Sequence, residues 1–366
     1  MSSVKVLIVD DSVVYRTQIR AALQLLPWVE VVGTASNGWT ALDRVAQLKP
    51  DLLILDLEMP GLDGLKTLEQ LQALDYRVKS LVFSAFSQRG AEITLEALRL
   101  GASDFIAKPG SESTGSDTPP LTPAERIKAL LLPKIAALFP KVAQLQKITP
   151  PIREVAGFQK VIWDLIKPEI IVIGSSTGGP TVLERIFADL SAPLRCPIVI
   201  AQHMPAVFTA TFADRLAKVS GLPVVEAKHG EELENNSVYI APGDFHLRLN
   251  QSESGSVYMT LDQGPQINSV RPAVDPLFET AAAIYKQNCL GFILTGMGAD
   301  GRVGAELIKK AGGAVVIQDE ASCVVFGMPG AVYAAGAYDR IASPPEIVQI
   351  INDKAADKPI SKRIVG

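Results

Sequence analysis

Two serines, Ser175 and Ser176, stand where the apolar run Ile170-Ile171-Val172-Ile173 ends at Gly174 and Pro180 opens a helical pattern. That order predicts a buried strand feeding a helix through a glycine-rich turn. Such a turn aims backbone N–H groups and a helix N-terminus at its ligand, which suits an anion or an oxyanion. The serines add a hydroxyl that could act as a nucleophile. His203 follows a second apolar run, Cys196–Ala201, and Asp300 follows a third, Leu290–Thr295. A serine, a histidine and an aspartate at the C-terminal ends of strands in one sheet can meet at its crest. A neutral imidazole then takes the serine proton, while the aspartate fixes its tautomer and stabilises the imidazolium.

Each residue has an ordinary alternative. Glycine-rich strand-to-helix turns often bind phosphate or simply pack tightly. A P-loop is excluded locally, because Pro180-Thr181 stand where Lys-Ser/Thr would be, and the dinucleotide spacing G-x-G-x-x-G is also missing. His203 competes with His246, which follows the turn Pro242-Gly243-Asp244, whereas His229 lies in a polar, exposed run. Asp300, before Gly301, could merely cap the next helix. The loop alone does not choose between Ser175 and Ser176.

A second constellation lies nearer the N-terminus. Asp10, Asp11, Asp56, Ser84 and Lys108 each sit at or just past the end of a short apolar run. Three converging carboxylates repel one another unless a hard divalent cation joins them, and oxygen ligands suit Mg²⁺. A carboxylate beside Mg²⁺ and a lysine can attack a phosphoryl group. Acidic residues after strands are often only helix caps, but five such residues in register are not explained that way.

The elements that must hold these residues follow from the periodicity. Strands are expected at 4–9, 29–32, 52–55, 80–83 and 104–107, with helices between them, giving a doubly wound parallel sheet whose strand ends share one crevice. Residues 110–123 are rich in Gly, Ser, Thr and Pro and read as an exposed loop. The helical pattern then resumes over 125–139, where Pro133 should kink or split it. From Ile170 the alternation returns, with strands expected at 170–174, 197–201, 223–226, 237–241, 290–295 and near 314–318. An antiparallel hairpin, 245–249 with 257–261, is expected within that second sheet. Helices are expected at about 180–190, 206–219, 275–287, 302–311 and 345–353. The boundaries expected are 1–145 for the first domain, 146–167 for a linker, 168–355 for the second domain and 356–366 for a tail.

Composition narrows the function class. At 366 residues, with 48% hydrophobic and 20% charged residues, the chain suits two globular cores. A net charge of −4 gives no reason to expect nucleic acid or an anionic membrane as partner. The apolar runs are strand-length, so no membrane insertion is expected, and MSSVKVLIVDD is no signal peptide. Cys196, Cys289 and Cys323 are too scattered for a disulfide framework or a zinc site and read as thiols of a cytoplasmic protein.

Residues 1–145 resemble a two-component receiver (response-regulator) domain of flavodoxin-like (βα)5 type. The resemblance implies that Asp56 is the phosphoacceptor, that Asp10, Asp11, Asp56 and the Glu58 main chain bind Mg²⁺, that Ser84 and Lys108 bind the phosphoryl group, and that Phe105 is the aromatic switch. The motifs GSSTGGP (from Gly174), AQHMP (from Ala201), YIAPGDFHL (from Tyr239), VRPAVDPLF (from Val270) and TGMGADG (from Thr295) resemble the catalytic domain of the chemotaxis protein-glutamate methylesterase family. By position, the resemblance makes Ser176 the nucleophile, His203 the general base and Asp300 the third triad member. Met297 would lend a backbone N–H to the oxyanion hole, with Thr177 beside the site. The order Ser…His…Asp differs from the triad orders of chymotrypsin, subtilisin and α/β-hydrolases. Phe245 and Ala299 depart from residues common in the motifs, and neither touches the triad.

The family hydrolyses γ-glutamyl methyl esters on chemoreceptors and often deamidates receptor glutamines. Its resemblance therefore implies methylated chemoreceptors as substrate and a histidine kinase as phosphodonor, with no cofactor in the catalytic domain. It also implies that the unphosphorylated receiver covers the catalytic crest. Two rivals make different predictions. A receiver-regulated phosphate- or nucleotide-binding module would bind nucleotide and resist serine-directed reagents. A transcription factor would need a basic output domain, whereas residues 168–366 hold more acidic than basic side chains and no apparent helix-turn-helix.

Overall fold

The computed structural model describes residues 3–85, 87–108, 121–143, 163–191 and 193–356. The chain divides into two compact units, Met1–Ile148 and Thr149–Gly366. The expected loop up to residue 120, the linker over 146–162 and the tail from 357 lie outside the described residues.

In the first unit, strands β1 (Val4–Val9), β2 (Val29–Ala35), β3 (Leu52–Leu55), β4 (Lys79–Ser84) and β5 (Asp104–Ala107) alternate with helices α1 (Val13–Gln24), α2 (Gly38–Leu48), α3 (Gly64–Ala73), α4 (Gln88–Arg99) and α5 (Pro123–Leu138). The sheet is parallel in the order β2-β1-β3-β4-β5, the flavodoxin-like arrangement. Helices cover both faces, so β3, Leu-Leu-Ile-Leu, is buried along its whole length. Ser12 and Asn37 cap α1 and α2 by accepting from the N–H groups of Tyr15 and Thr40. Of the kink or split expected at Pro133, the split does not occur, since helix α5 runs unbroken through it. Its buried face of Ile127, Leu131 and Ile135 and its Thr122–Glu125 capping box hold the helix across the missing N–H.

The second unit holds β6 (Ile170–Ser175), α6 (Gly179–Ala188), β7 (Ile198–Gln202), α7 (Ala206–Ser220), β8 (Val224–Glu226), β9 (Val238–Ile240), β10 (His246–Gln251), β11 (Val257–Asp262), α8 (Val274–Tyr285), β12 (Cys289–Ile293), α9 (Arg302–Lys310), β13 (Ala314–Gln318), α10 (Met328–Ala335), β14 (Arg340–Ala342) and α11 (Pro344–Ala355). Seven strands form a parallel sheet, β14-β13-β12-β6-β7-β9-β8. The chain fills one side of β6 first and then the other, so the topological switch lies at β6, between β7 and β12. In open α/β sheets the crevice outside the carboxyl ends at such a point is the ligand site.

The hairpin β10–β11 does not join this sheet. It is a two-stranded sheet of its own, because β8 already occupies the outer edge of β9. It packs on α8 instead, where the Leu249 N–H donates to Thr280 Oγ1 at 3.0 Å. Helix α10 and strand β14 were not expected. The first is short, rich in small residues and carries Gly and Pro, and the second has three residues. Cys196 and Cys289 are buried free thiols and Cys323 is half-buried. Among the described residues no helix is long and apolar enough to cross a membrane.

Candidate active site

The parallel register between β6 and β7 sets Ser175 opposite Gln202, so Ser176 and His203 are the first residues beyond the two strand ends. The His203 N–H donates to the Ser175 carbonyl at 3.0 Å, and the Ser176 N–H donates to the Thr295 carbonyl, also at 3.0 Å. Backbone bonds thus fix Ser176 between the ends of β7 and β12. The turn after it depends on Gly178, whose φ of +79° suits a residue without Cβ. Gly296 comes so close to the nucleophile turn that an added Cβ would lie 2.8 Å from Ser176 Cβ and 2.3 Å from Met328 Sδ.

The two serines have different surroundings. Ser175 is fully buried and its hydroxyl donates to Gln202 Oε1 at 2.6 Å. Gln202 Nε2 in turn donates to the carbonyls of Ser176 (3.0 Å) and His203 (3.1 Å), tying both turns together. Ser176 is half-buried, and among the described residues no hydrogen bond joins its hydroxyl to His203. The phosphate-cradle alternative loses donors, because the Gly179 N–H is bound to the Ser176 carbonyl and the Val182 N–H to that of Gly178.

His203 Nε2 lies 2.7 Å from Asp300 Oδ2. The carboxylate accepts, so the proton sits on Nε2 and the lone pair on Nδ1 is left to act as base. Asp300 is buried and heavily held: Oδ2 also accepts from the Val274 N–H (2.6 Å), and Oδ1 from the N–H groups of Asp275 (3.2 Å) and Gly301 (3.0 Å) and from Asn268 Nδ2 (3.1 Å). Val274 and Asp275 open α8, so the carboxylate also meets the positive end of a helix. Burial pushes the Asp300 pKa up, but the bond and charge of His203 and the backbone donors outweigh it and hold the group below the usual carboxylate range. Asp275 moves the other way, up to about 6, through burial and then the Asp300 charge, against the pull of the Gly304 N–H. His246, the other candidate base, is buried with both ring nitrogens engaged. Nδ1 accepts from the Ala273 N–H at 3.2 Å and Nε2 donates to the Pro265 carbonyl at 3.0 Å. Its lone pair is spent on the backbone.

The Met297 N–H has no hydrogen-bond partner among the described residues, and the loop around it is anchored by Gly296 N–H to the Val325 carbonyl (3.0 Å). Thr177 is buried beside the site and its carbonyl accepts from Thr295 Oγ1 at 2.9 Å. Sequence reasoning gave no role to Gln202, Asn268 or Asp275. Gln202 and Asp275 lay inside quoted motifs, but only the β6–β7 register and the opening of α8 reveal what they hold.

In the first unit the Asp56 N–H donates to the Val9 carbonyl at 2.8 Å and the Lys108 N–H to that of Ser84 at 2.6 Å, which aligns the ends of β1, β3, β4 and β5. Carboxylate oxygens of Asp10, Asp11 and Asp56 all lie within 4.8 Å of one another. Lys108 Nζ stands 2.8 Å from Asp56 Oδ2 and 3.1 Å from Asp10 Oδ2. The latter is an ion-pair contact only, since buried Asp10 Oδ2 has no hydrogen bond. Burial, aided by Asp10 and opposed by Lys108, raises the Asp56 pKa. Burial lowers that of Lys108, but its two carboxylates outweigh it and raise it. Ser84 is buried with its hydroxyl 3.3 Å from the Gly90 carbonyl, and Phe105 is buried. Glu58 is exposed, and its N–H is 3.4 Å from Asp56 Oδ1. An all-oxygen cluster with one unsatisfied buried oxygen fits a hard divalent cation such as Mg²⁺.

Residues 171–351 match the family model described as CheB methylesterase, and residues 6–116 match the response regulator receiver domain. A protein-glutamate methylesterase/protein-glutamine glutaminase of Trichodesmium erythraeum (strain IMS101) is 42% identical, across 93% of this chain and 96% of its own length. One of the same description from Nocardioides sp. is 42% identical, across 93% and 92%. The crystal structure of the Thermotoga maritima CheB methylesterase catalytic domain is 46% identical to the matching part, covers 51% of this chain and 99% of its own, and superposes with a TM-score of 0.50.

Proposed function

The chain belongs to the CheB protein-glutamate methylesterase family, and on that premise we propose that it hydrolyses γ-glutamyl methyl esters of chemoreceptors with Ser176, His203 and Asp300. The observation that carries the proposal is the His203–Asp300 bond of 2.7 Å at the switch point, one residue past the strand that pairs with the serine strand. His203 Nδ1 takes the Ser176 proton, and Oγ attacks the ester carbonyl. Charge gathers on the carbonyl oxygen, facing the Met297 N–H. His203 returns the proton to the departing methanol, and water then cleaves the acyl-enzyme by the same route in reverse. Ser176 must turn towards Nδ1 on substrate binding, as is common in triads without substrate. An amide in place of the ester gives glutamine deamidation, the second activity in the names of the relatives.

Asp56 is the proposed phosphoacceptor. Asp10, Asp11 and Asp56, with the Glu58 main chain, would hold Mg²⁺, which offsets negative charge on the incoming phosphoryl group. Lys108 and Ser84 face the product, and Phe105 carries the aromatic switch role. A histidine kinase of a chemosensory system is the proposed phosphodonor. Methanol release from methylated receptor membranes tests the reading. It should occur with the full chain and rise when a small phosphodonor is added. Absence of methanol release in both states would overturn it.

A further inference from the structure

The carboxylate of Asp300 is not held by backbone and His203 alone. A turn over residues 267–270, closed by paired bonds between the Ile267 and Val270 backbones, brings a side-chain amide to it. Two consecutive non-glycine residues of that turn, Asn268 and Ser269, have left-handed φ values of +53° and +64°. Asparagine tolerates that conformation best among the larger residues, and serine less well. The strained turn puts Asn268 Nδ2 3.1 Å from Asp300 Oδ1 and 3.3 Å from Asp275 Oδ2. One NH₂ group therefore stands between two carboxylates and can give one hydrogen to each.

We propose that Asn268 is a positioning residue of the esterase, its amide keeping Asp300 turned towards His203 by bridging it to Asp275. The proposal rests on the triad reading above. Without the bridge, Asp300 Oδ1 loses the side-chain amide that donates to it and keeps the backbone N–H groups of Asp275 and Gly301, and the two carboxylates face each other unscreened. Asp275 cannot swing aside, because its Oδ1 accepts from the Gly304 N–H at 2.8 Å. The cations nearby are committed elsewhere: Arg271 of the same loop to Asp244 and the carbonyls of Gln263 and Gly264, and Arg302 of α9 to Glu306. The titratable groups facing the amide are thus Asp275 from α8 and Asp300 from the β12–α9 loop, with His203 from the end of β7 behind Asp300.

Two variants separate positioning from folding. Asn268→Gly keeps the left-handed turn and removes the amide. Asn268→Asp keeps the shape and replaces two donors with a negative charge. Both should melt as cooperatively as the wild-type full chain. Methanol release by Asn268→Gly should show kcat lowered about tenfold with KM unchanged, the loss expected of one hydrogen bond to a charged group. Asn268→Asp should fall further, because like charges are added to the pair. Its activity relative to wild type at each pH should recover as pH drops, since a protonated carboxyl can donate again. A kcat within twofold of wild type in both variants, or a pH-independent ratio for Asn268→Asp, would overturn the inference. Ser176→Ala in the same assay keeps the two readings apart. An active serine variant would sink the triad, whereas an inactive one beside unaffected Asn268 variants would sink only the bridge.

Discussion

Replacing Asp300 by asparagine removes one charge without changing shape, and the structure sets out its consequences. The carboxylate accepts five hydrogen bonds, two at Oδ2 and three at Oδ1. An amide NH₂ in place of Oδ1 would face three donors, so the carboxamide oxygen should keep that position. The NH₂ then faces the Val274 N–H and His203 Nε2. Val274 is left with a buried, unsatisfied N–H, a penalty of about 1–3 kcal/mol. His203 can relieve its own conflict only by shifting the proton to Nδ1, which deprives Ser176 of its base. In serine proteases the corresponding wrong tautomer lowers kcat about 10⁴-fold, and the same order is expected here in methanol release, with little change in KM. Stability adds a second readout. The Asp300 pKa is depressed in the fold, so its stabilising contribution is present above the unfolded value of about 3.9 and is lost as pH falls through the lower folded value. Asp300→Asn should therefore destabilise the catalytic unit at pH 7, and by less as pH falls through the folded pKa. Activity within tenfold of wild type would refute the tautomer argument, and a loss of stability that stays equal as pH falls would refute the charge argument.

Ser175→Ala should lose about 1–3 kcal/mol of stability, because buried Gln202 Oε1 loses its donor, yet keep kcat within about tenfold; unfolding curves and methanol release check both. Gly296→Ala puts a Cβ 2.8 Å from Ser176 Cβ, and a shift of about 1 Å in the nucleophile should lower kcat about a hundredfold in a protein that still folds. Chelation of divalent metal, or Asp56→Asn, should abolish stimulation by a small phosphodonor and leave the basal esterase rate intact; loss of the basal rate on chelation would place a metal in the esterase itself.

The parts legible in the sequence were those written in local patterns. Apolar runs such as Ile170–Ile173 and Leu52–Leu55 have nothing polar to satisfy on either face, so buried parallel strands were the natural reading. The polar residues at their ends then had to converge, because parallel strands point the same way. What was hidden depended on register and on distant packing. Ser175 and Ser176 differ by one residue in sequence, but the pleat buries one against Gln202 and leaves the next at the crest. His246 matched His203 in type, and its two backbone bonds, set against the bond of His203 to Asp300, distinguish it. Asn268 sits in a polar loop with no periodic signal, so its reach to Asp300 could not be read from spacing. The hairpin was visible as a hairpin. Its exclusion from the sheet followed from β8 taking the edge of β9, a pairing of non-local origin.

The central claim is that Ser176 is the nucleophile of an ester hydrolysis. Methanol release by the purified full chain on methylated receptor membranes, wild type beside Ser176→Ala, tests it most directly. A loss of several orders of magnitude in the variant, with unfolding behaviour unchanged, is the predicted result. Near-normal methanol release by Ser176→Ala would contradict it.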